Sequence, residues 1–131
     1  MNIRVPLLVL AAAVAPAVLA AQVPTAEQLG VPVYPGASYD AQNSAGMSQP
    51  TEKYYLFTTG DAVAAVQRFY ENATKHQAAA FGDGGAVIIV LEGAAPFPKH
   101  GVVIEPNRGG YPPAVKTVIT VRREVPEPEG N

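Results

Sequence analysis

Two carboxylates that close successive apolar runs, Glu92 and Glu105, are the first groups in this 131-residue chain that could do chemistry. Paired carboxylates divide acid and base work when their surroundings hold their protonation states apart. A hairpin between the two runs would let them face each other, so a carboxylate-based hydrolase is one reading; strand-end charges serving solubility are the commoner use of such residues. Ser38, Ser44 and Ser48 lie in polar sequence without the Gly-x-Ser-x-Gly turn that presents a nucleophile. His76 and His100 are two ligands where zinc wants at least three with close spacing. The chain has no cysteine, which removes disulfides, thiol catalysis and thiolate metal sites. "GDGG" (82–85) is glycine-rich like a phosphate loop, but a strand pattern follows it instead of a helix N-terminus. It reads as a turn. "NAT" (72–74) matches the N-glycosylation sequon but falls within a helical pattern, so it is read as coincidence. No catalytic residue, metal ligand or cofactor is therefore assigned. Arg108 and Tyr111, in the loop "NRGGYPPA", remain as possible ligand contacts, because loops commonly carry binding residues.

The elements that would position these groups are legible in outline. "PTAEQLG" (24–30) predicts one or two helical turns, with Thr25 as N-cap, Gln28 completing a capping box and Gly30 ending the turn. "VPVYPGA" (31–37) alternates like a strand, yet Pro32 and Pro35 remove two backbone donors, so it cannot be a central strand. It reads as a structural strap, with a ligand-reading loop as the alternative. "SYDAQNSAG" suggests a first strand running into a loop, and "TEKYYLFT" (51–58) a strand by its aromatic content. From 60 to 75, Val63, Val66, Phe69, Tyr70 and Ala73 recur at helical spacing. Thr58 or Thr59 is the expected cap, and Glu71 and Lys75 the expected surface ion pair. Strand patterns follow at 86–92, 101–106 and 114–123. Short turns between consecutive strands favour antiparallel pairing. The expected fold is α+β, one main helix packed on a four- to five-stranded antiparallel sheet.

The first twenty residues stand apart. Arg4 precedes the uncharged run "VPLLVLAAAVAPAVLA", and Val18-Leu19-Ala20 before Ala21 matches a signal-peptidase site. A retained membrane anchor is the rival, but a span needs about 20 apolar residues, and Pro16, Gln22 and Pro24 interrupt this run. The expected organisation is a signal peptide at 1–20, one domain at 21–123 and a disordered acidic tail at 124–131. Within 21–123 there are 8 basic and 8 acidic residues. A neutral domain has no broad field to gather phosphates, so nucleic acid is rejected as a partner.

"VPVYPGA", the strand "YYLFTT" and the helix "AVAAVQRFY" together resemble a group of small exported bacterial proteins and lipoproteins. These share a Tyr-Pro-Gly-Ala segment followed by a strand and a Val-x-x-Phe-Tyr helix. The resemblance covers about residues 30–71 and implies export but no catalytic residue. This chain lacks the lipid-bearing cysteine of the lipoprotein members.

Three function classes follow. A non-catalytic binding or assembly module in the periplasm or outside the cell leads, with a homodimer or an envelope protein as partner. Val118 stands on the otherwise polar face of the last strand, and Ile88 and Val90 point away from the helix, so an apolar second face would be its contact surface. A small-ligand carrier using Tyr34, Tyr54 and Tyr111 is the alternative, and the hydrolase is third. No stable membrane span is expected after cleavage. Intact mass of the exported protein tests the leader: the mass should correspond to a chain beginning at Ala21, and a mass that retains residues 1–20 would restore the anchor.

Overall fold

The structure, a computed structural model, describes residues 22–127. The expected leader with its Ala20–Ala21 junction lies outside these residues, as do positions 128–131 of the expected tail. In chain order the elements are α1 (Ala26–Leu29), β1 (Ser38–Asp40), α2 (Ala41–Met47), β2 (Glu52–Thr59), α3 (Val63–Thr74), β3 (Ala79–Ala80), β4 (Val87–Glu92), β5 (His100–Pro106) and β6 (Thr117–Glu124). The strands form one antiparallel sheet in the order β1-β2-β6-β5-β4-β3. The α+β class stands. Six strands replace the expected four to five, and three helices stand where one main helix and the short turn at 24–30 were expected. No helix among the described residues is long and apolar enough to cross a membrane.

Register sorts the side chains into rows. Tyr39, Phe57, Ile119, Ile104 and Val87 are successive cross-strand partners on one face. Tyr55, Val121, Val102 and Ile89 form the next row on that face. Val66 and Tyr70 of α3 pack on these rows together with Leu29, Val31 and Tyr34. Each fully buried aliphatic or aromatic side chain there contributes roughly 1.5–3 kcal/mol. Ala73 is exposed instead of joining the α3 stripe. The residue before the helix is Ala62, with no side-chain cap. The hydroxyl of Thr59, the expected cap, instead accepts from the Asp61 N–H at 3.2 Å. Glu71 turns to Gln67 Nε2 (3.2 Å) and the Ala78 N–H (2.8 Å) and makes no ion pair with Lys75.

The strap lies on this first face. Val31 and Tyr34 are buried in the core. Tyr70 Oη donates to the Pro32 carbonyl at 2.9 Å, and Tyr34 Oη donates to Asp61 at 2.6 Å. Gly36, at φ 80°, makes the turn that leads into β1. Upstream, α1 forms as its capping box predicts. Its last carbonyls are taken by Arg123 Nη1 (Glu27 at 2.9 Å, Gln28 at 2.8 Å) and by His100 Nε2 (Leu29 at 2.8 Å). A carbonyl can only accept, so that ring nitrogen carries the proton. Gly30 leaves room for the imidazole, since a Cβ there would stand 2.5 Å from His100 Cε1.

The polar segment after β1 is a helix instead of a loop. Asp40 caps it by accepting from the Asn43 N–H at 3.0 Å. Where β1 ends, at the Asp40–Leu56 pair, Ser44 Oγ accepts from the Leu56 N–H (2.8 Å), and beyond it Ser48 Oγ accepts from the Tyr54 N–H (2.9 Å). Two serine hydroxyls thus do the work of a neighbouring strand and close an edge that would otherwise invite pairing. At the other end of the chain, β6 runs to Glu124 and the Val125 N–H bonds to the Thr51 carbonyl at 3.0 Å. Paired backbone therefore extends past the expected boundary at 123. Val31→Asp should lower stability by about 3 kcal/mol, because it buries a carboxylate without a partner. Chemical denaturation measures it, and an unchanged midpoint would return the strap to a ligand loop.

Candidate functional site

The second face of the sheet carries three rows: Thr58, Val118 and Glu105; Leu56, Thr120, Val103 and Ile88; and Tyr54, Arg122, Gly101 and Val90. Loops and α2 cover much of it. Ile88 is 2% exposed and Val118 8%, so the broad wet apolar patch expected around Val118, Ile88 and Val90 is not present. Glu105 lines two concavities on this face.

The first is a cleft of about 180 Å³. Tyr54, Gly101, Val103, Thr120 and Arg122 form its floor, with Met47, Phe81 and Phe97 around it. Gly101 faces Arg122 across the strands, and it has no side chain for a reason: a Cβ there would lie 2.8 Å from Pro98 Cγ and 2.9 Å from the Ile89 carbonyl. Pro98 is fully buried over that gap, whereas Phe97 next to it is 70% exposed and Met47 across the cleft 45%.

Arg122 fastens this wall. Its Nε donates to Tyr54 Oη at 3.0 Å and its Nη1 to the Pro98 carbonyl. Its Nη2 lies 3.1 Å from Glu52, and Glu124 is 3.4 Å from Nη1. Burial works against the guanidinium charge, but the Tyr54 hydrogen bond and the Glu52 carboxylate outweigh it and hold the pKa above the ordinary arginine value. The guanidinium also lies 5.6 Å from the Tyr54 ring centre and 5.9 Å from that of Phe97. With its donors engaged inside the protein, Arg122 braces the cleft and offers no open fork to an anion.

The second concavity is enclosed by Leu56, Val118 and the 105–111 segment. Asn107 shapes the segment: Nδ2 donates to the Tyr111 and Val115 carbonyls (2.9 and 3.0 Å), while Oδ1 accepts from the Gly109 and Tyr111 N–H groups (3.0 and 3.2 Å). Tyr111 Oη donates to Asp40, the cap of α2. Arg108 donates to the Gly84 carbonyl at 3.0 Å and stands 3.9 Å from Glu105.

Of the sequence-derived candidates, Tyr54, Arg108, Tyr111 and Val118 come to this one face. Tyr54 belongs to the first cleft, Arg108, Tyr111 and Val118 to the second. Tyr34 is on the opposite face and buried, so it is removed from any ligand site. Glu92 pairs with His100 and Glu105 with Val118. Glu105 is five steps along β5 from His100, roughly 17 Å at strand rise, so the two carboxylates do not face each other. Sequence reasoning missed Met47, Phe97, Thr120 and Arg122. The signal for Phe97 was an aromatic residue between two prolines, in "PFP".

Thr120 is 9% exposed, and its hydroxyl has no hydrogen-bond partner among the described residues. Buried hydroxyls normally have one. The arrangement amounts to an apolar, aromatic-walled cleft with a free hydroxyl in its floor and a half-exposed carboxylate at its side. Comparison with protein-family models, curated proteins and solved structures finds no match.

The Asp40 contacts make a pH prediction. Burial opposes the Asp40 charge, but hydrogen bonds from Tyr111 and Asn43 outweigh it and hold the carboxyl below its ordinary value of 3.8. A folded pKa below the unfolded one means that the stabilisation is complete above pH 3.8 and is lost as pH falls through the folded value. The melting-temperature gap between wild type and Asp40→Asn should therefore be constant near neutrality and narrow in acid. A gap that widens in acid would refute the assignment.

Proposed function

We propose that this protein is an exported, non-catalytic binding module, periplasmic or secreted, that holds a small molecule in the cleft over Tyr54, Val103 and Thr120. The observation that carries the reading is the cleft itself: apolar walls around a few polar groups, with Phe97 and Met47 presented to solvent at its mouth. Small-molecule sites have that composition. Arg122, the charged side chain in the floor, is committed to holding the 93–98 loop, which supports binding over turnover. Export rests on the leader-like first twenty residues and on the resemblance to small exported proteins.

Assembly with a second copy or with another envelope protein is the competing use of this face. A stable protein interface buries about 800 Å² on each partner. Among the described residues the exposed large apolar side chains are Val23, Met47 and Phe97, and this supports the small-ligand reading. Native mass spectrometry and light scattering on protein isolated from expressing cells should give a monomer with a copurifying small molecule. The adduct should be lost in Phe97→Ser. Association with itself or with another protein that disappears in Phe97→Ser would decide for assembly instead.

A further inference from the structure

Resting on that reading, we infer that the cleft selects a ligand with one aromatic ring and an ammonium group. Volume sets the ring: an apolar cavity of about 150 Å³ holds benzene, so about 180 Å³ here admits one ring and a short substituent. Three aromatic side chains line the space, those of Tyr54, Phe81 and Phe97, and they favour an aromatic ring through edge and offset contacts.

Charge sets the substituent. Arg122 is surrounded by Glu52, Glu124, Tyr54 and the Pro98 carbonyl, with 8% of its side chain exposed. It has nothing to offer a carboxylate or phosphate. Glu105 is different. Its side chain is 37% exposed, and its ion pair with Arg108 is long at 3.9 Å on an arginine 53% exposed. Such pairs are weak, which leaves the carboxylate able to take a ligand cation. Counting Arg108 and Arg122 against Glu52, Glu105 and Glu124, the braces and lining of the cleft have one more negative than positive charge. Thr120 is diagonal to Glu105 on neighbouring strands, a spacing of roughly 7–8 Å. Its unpartnered hydroxyl, on the cleft floor, completes the polar contacts for a ring substituent or for the ammonium itself.

The test uses three probes that share a phenylethyl group in backbone-amide NMR titrations of the purified protein at neutral pH: 2-phenylethylamine and 2-phenylethanol, of equal size, and the slightly larger 3-phenylpropionate. Phenylethylamine should shift Val103, Glu105 and Thr120 and bind about fivefold tighter than phenylethanol, with phenylpropionate weakest. In Glu105→Gln the amine and the alcohol should converge to within about twofold while the alcohol's own affinity stays put. Arg108→Gln, which frees Glu105, should widen the preference, and it serves as the second variant should Glu105→Gln disturb the fold. An alcohol or a carboxylate that binds as well as the amine overturns the ligand class and leaves the cleft a small-molecule site. A preference for the amine that survives Glu105→Gln overturns the role of Glu105. If none of the probes binds, the ligand class falls, and the copurifying adduct separately decides whether the cleft is a site at all.

Discussion

β6, the last strand among the described residues, enters the middle of the sheet, and that placement governs everything else. From Thr117 to Arg122 every residue of β6 is buried, on both faces alike. A strand flanked by β2 and β5 has its backbone fully paired, but its side chains need two covers. On one face α3, α1 and the strap provide a conventional apolar lid over Ile119 and Val121. On the other face the described residues provide only a seven-residue helix and loops, which must also accommodate Thr120 and Arg122. A buried guanidinium survives only where carboxylates and carbonyls surround it. Glu52, Glu124, Tyr54 and the Pro98 carbonyl do so, and in doing so they dictate where the 93–98 loop lies.

What was legible in the sequence were the features written locally. The capping box at Thr25 and Gln28, the Val66–Tyr70 stripe and the strand patterns at 51–58, 86–92, 101–106 and 114–123 each depend on neighbours in the chain. So does the strap, since Pro32 and Pro35 exclude it from the sheet interior whatever lies nearby. The helix at Ala41–Met47 was not legible, because "AQNSAGM" has no apolar stripe. Its stability comes from Asp40 at its start and from serine hydroxyls that serve the edge of β2, a contact no periodicity reveals. The two alanines of β3 are too short for a pattern. Strand number failed for that reason, and the helix count failed because α2 passed for a loop.

The site was half legible, and the reason is a matter of hydroxyls. Tyr34, Tyr54 and Tyr111 look equivalent in the sequence, each aromatic and close to polar or turn residues. The fold gives them three fates. Tyr34 is buried with its hydroxyl on Asp61, Tyr111 ties a loop to the cap of α2, and Tyr54 faces a cleft while supporting Arg122. Val118 was correctly assigned to the second face, but its exposure depended on whether the 107–111 loop folds back. Asn107 decides that through hydrogen bonds to both sides of the loop. Residue type indicated which groups could bind, and only tertiary contacts showed which were already occupied.

The same braces explain why a cleft survives between them. A flexible loop over an apolar floor would collapse onto Val103, because burial is favourable at roughly 25 cal/mol per Å². Here the loop on one side is held at the Pro98 carbonyl by Arg122, and its proline already fills the gap above Gly101. On the other side Asn107, Asp40 and Arg108 hold the 107–111 loop and the 82–85 turn in place. Closing the space would break charge-assisted hydrogen bonds to buried groups, a larger loss than the small apolar area would return. Arg122, Asn107 and Asp40 thus keep the walls apart, and on the proposed reading little ordering is left to oppose binding.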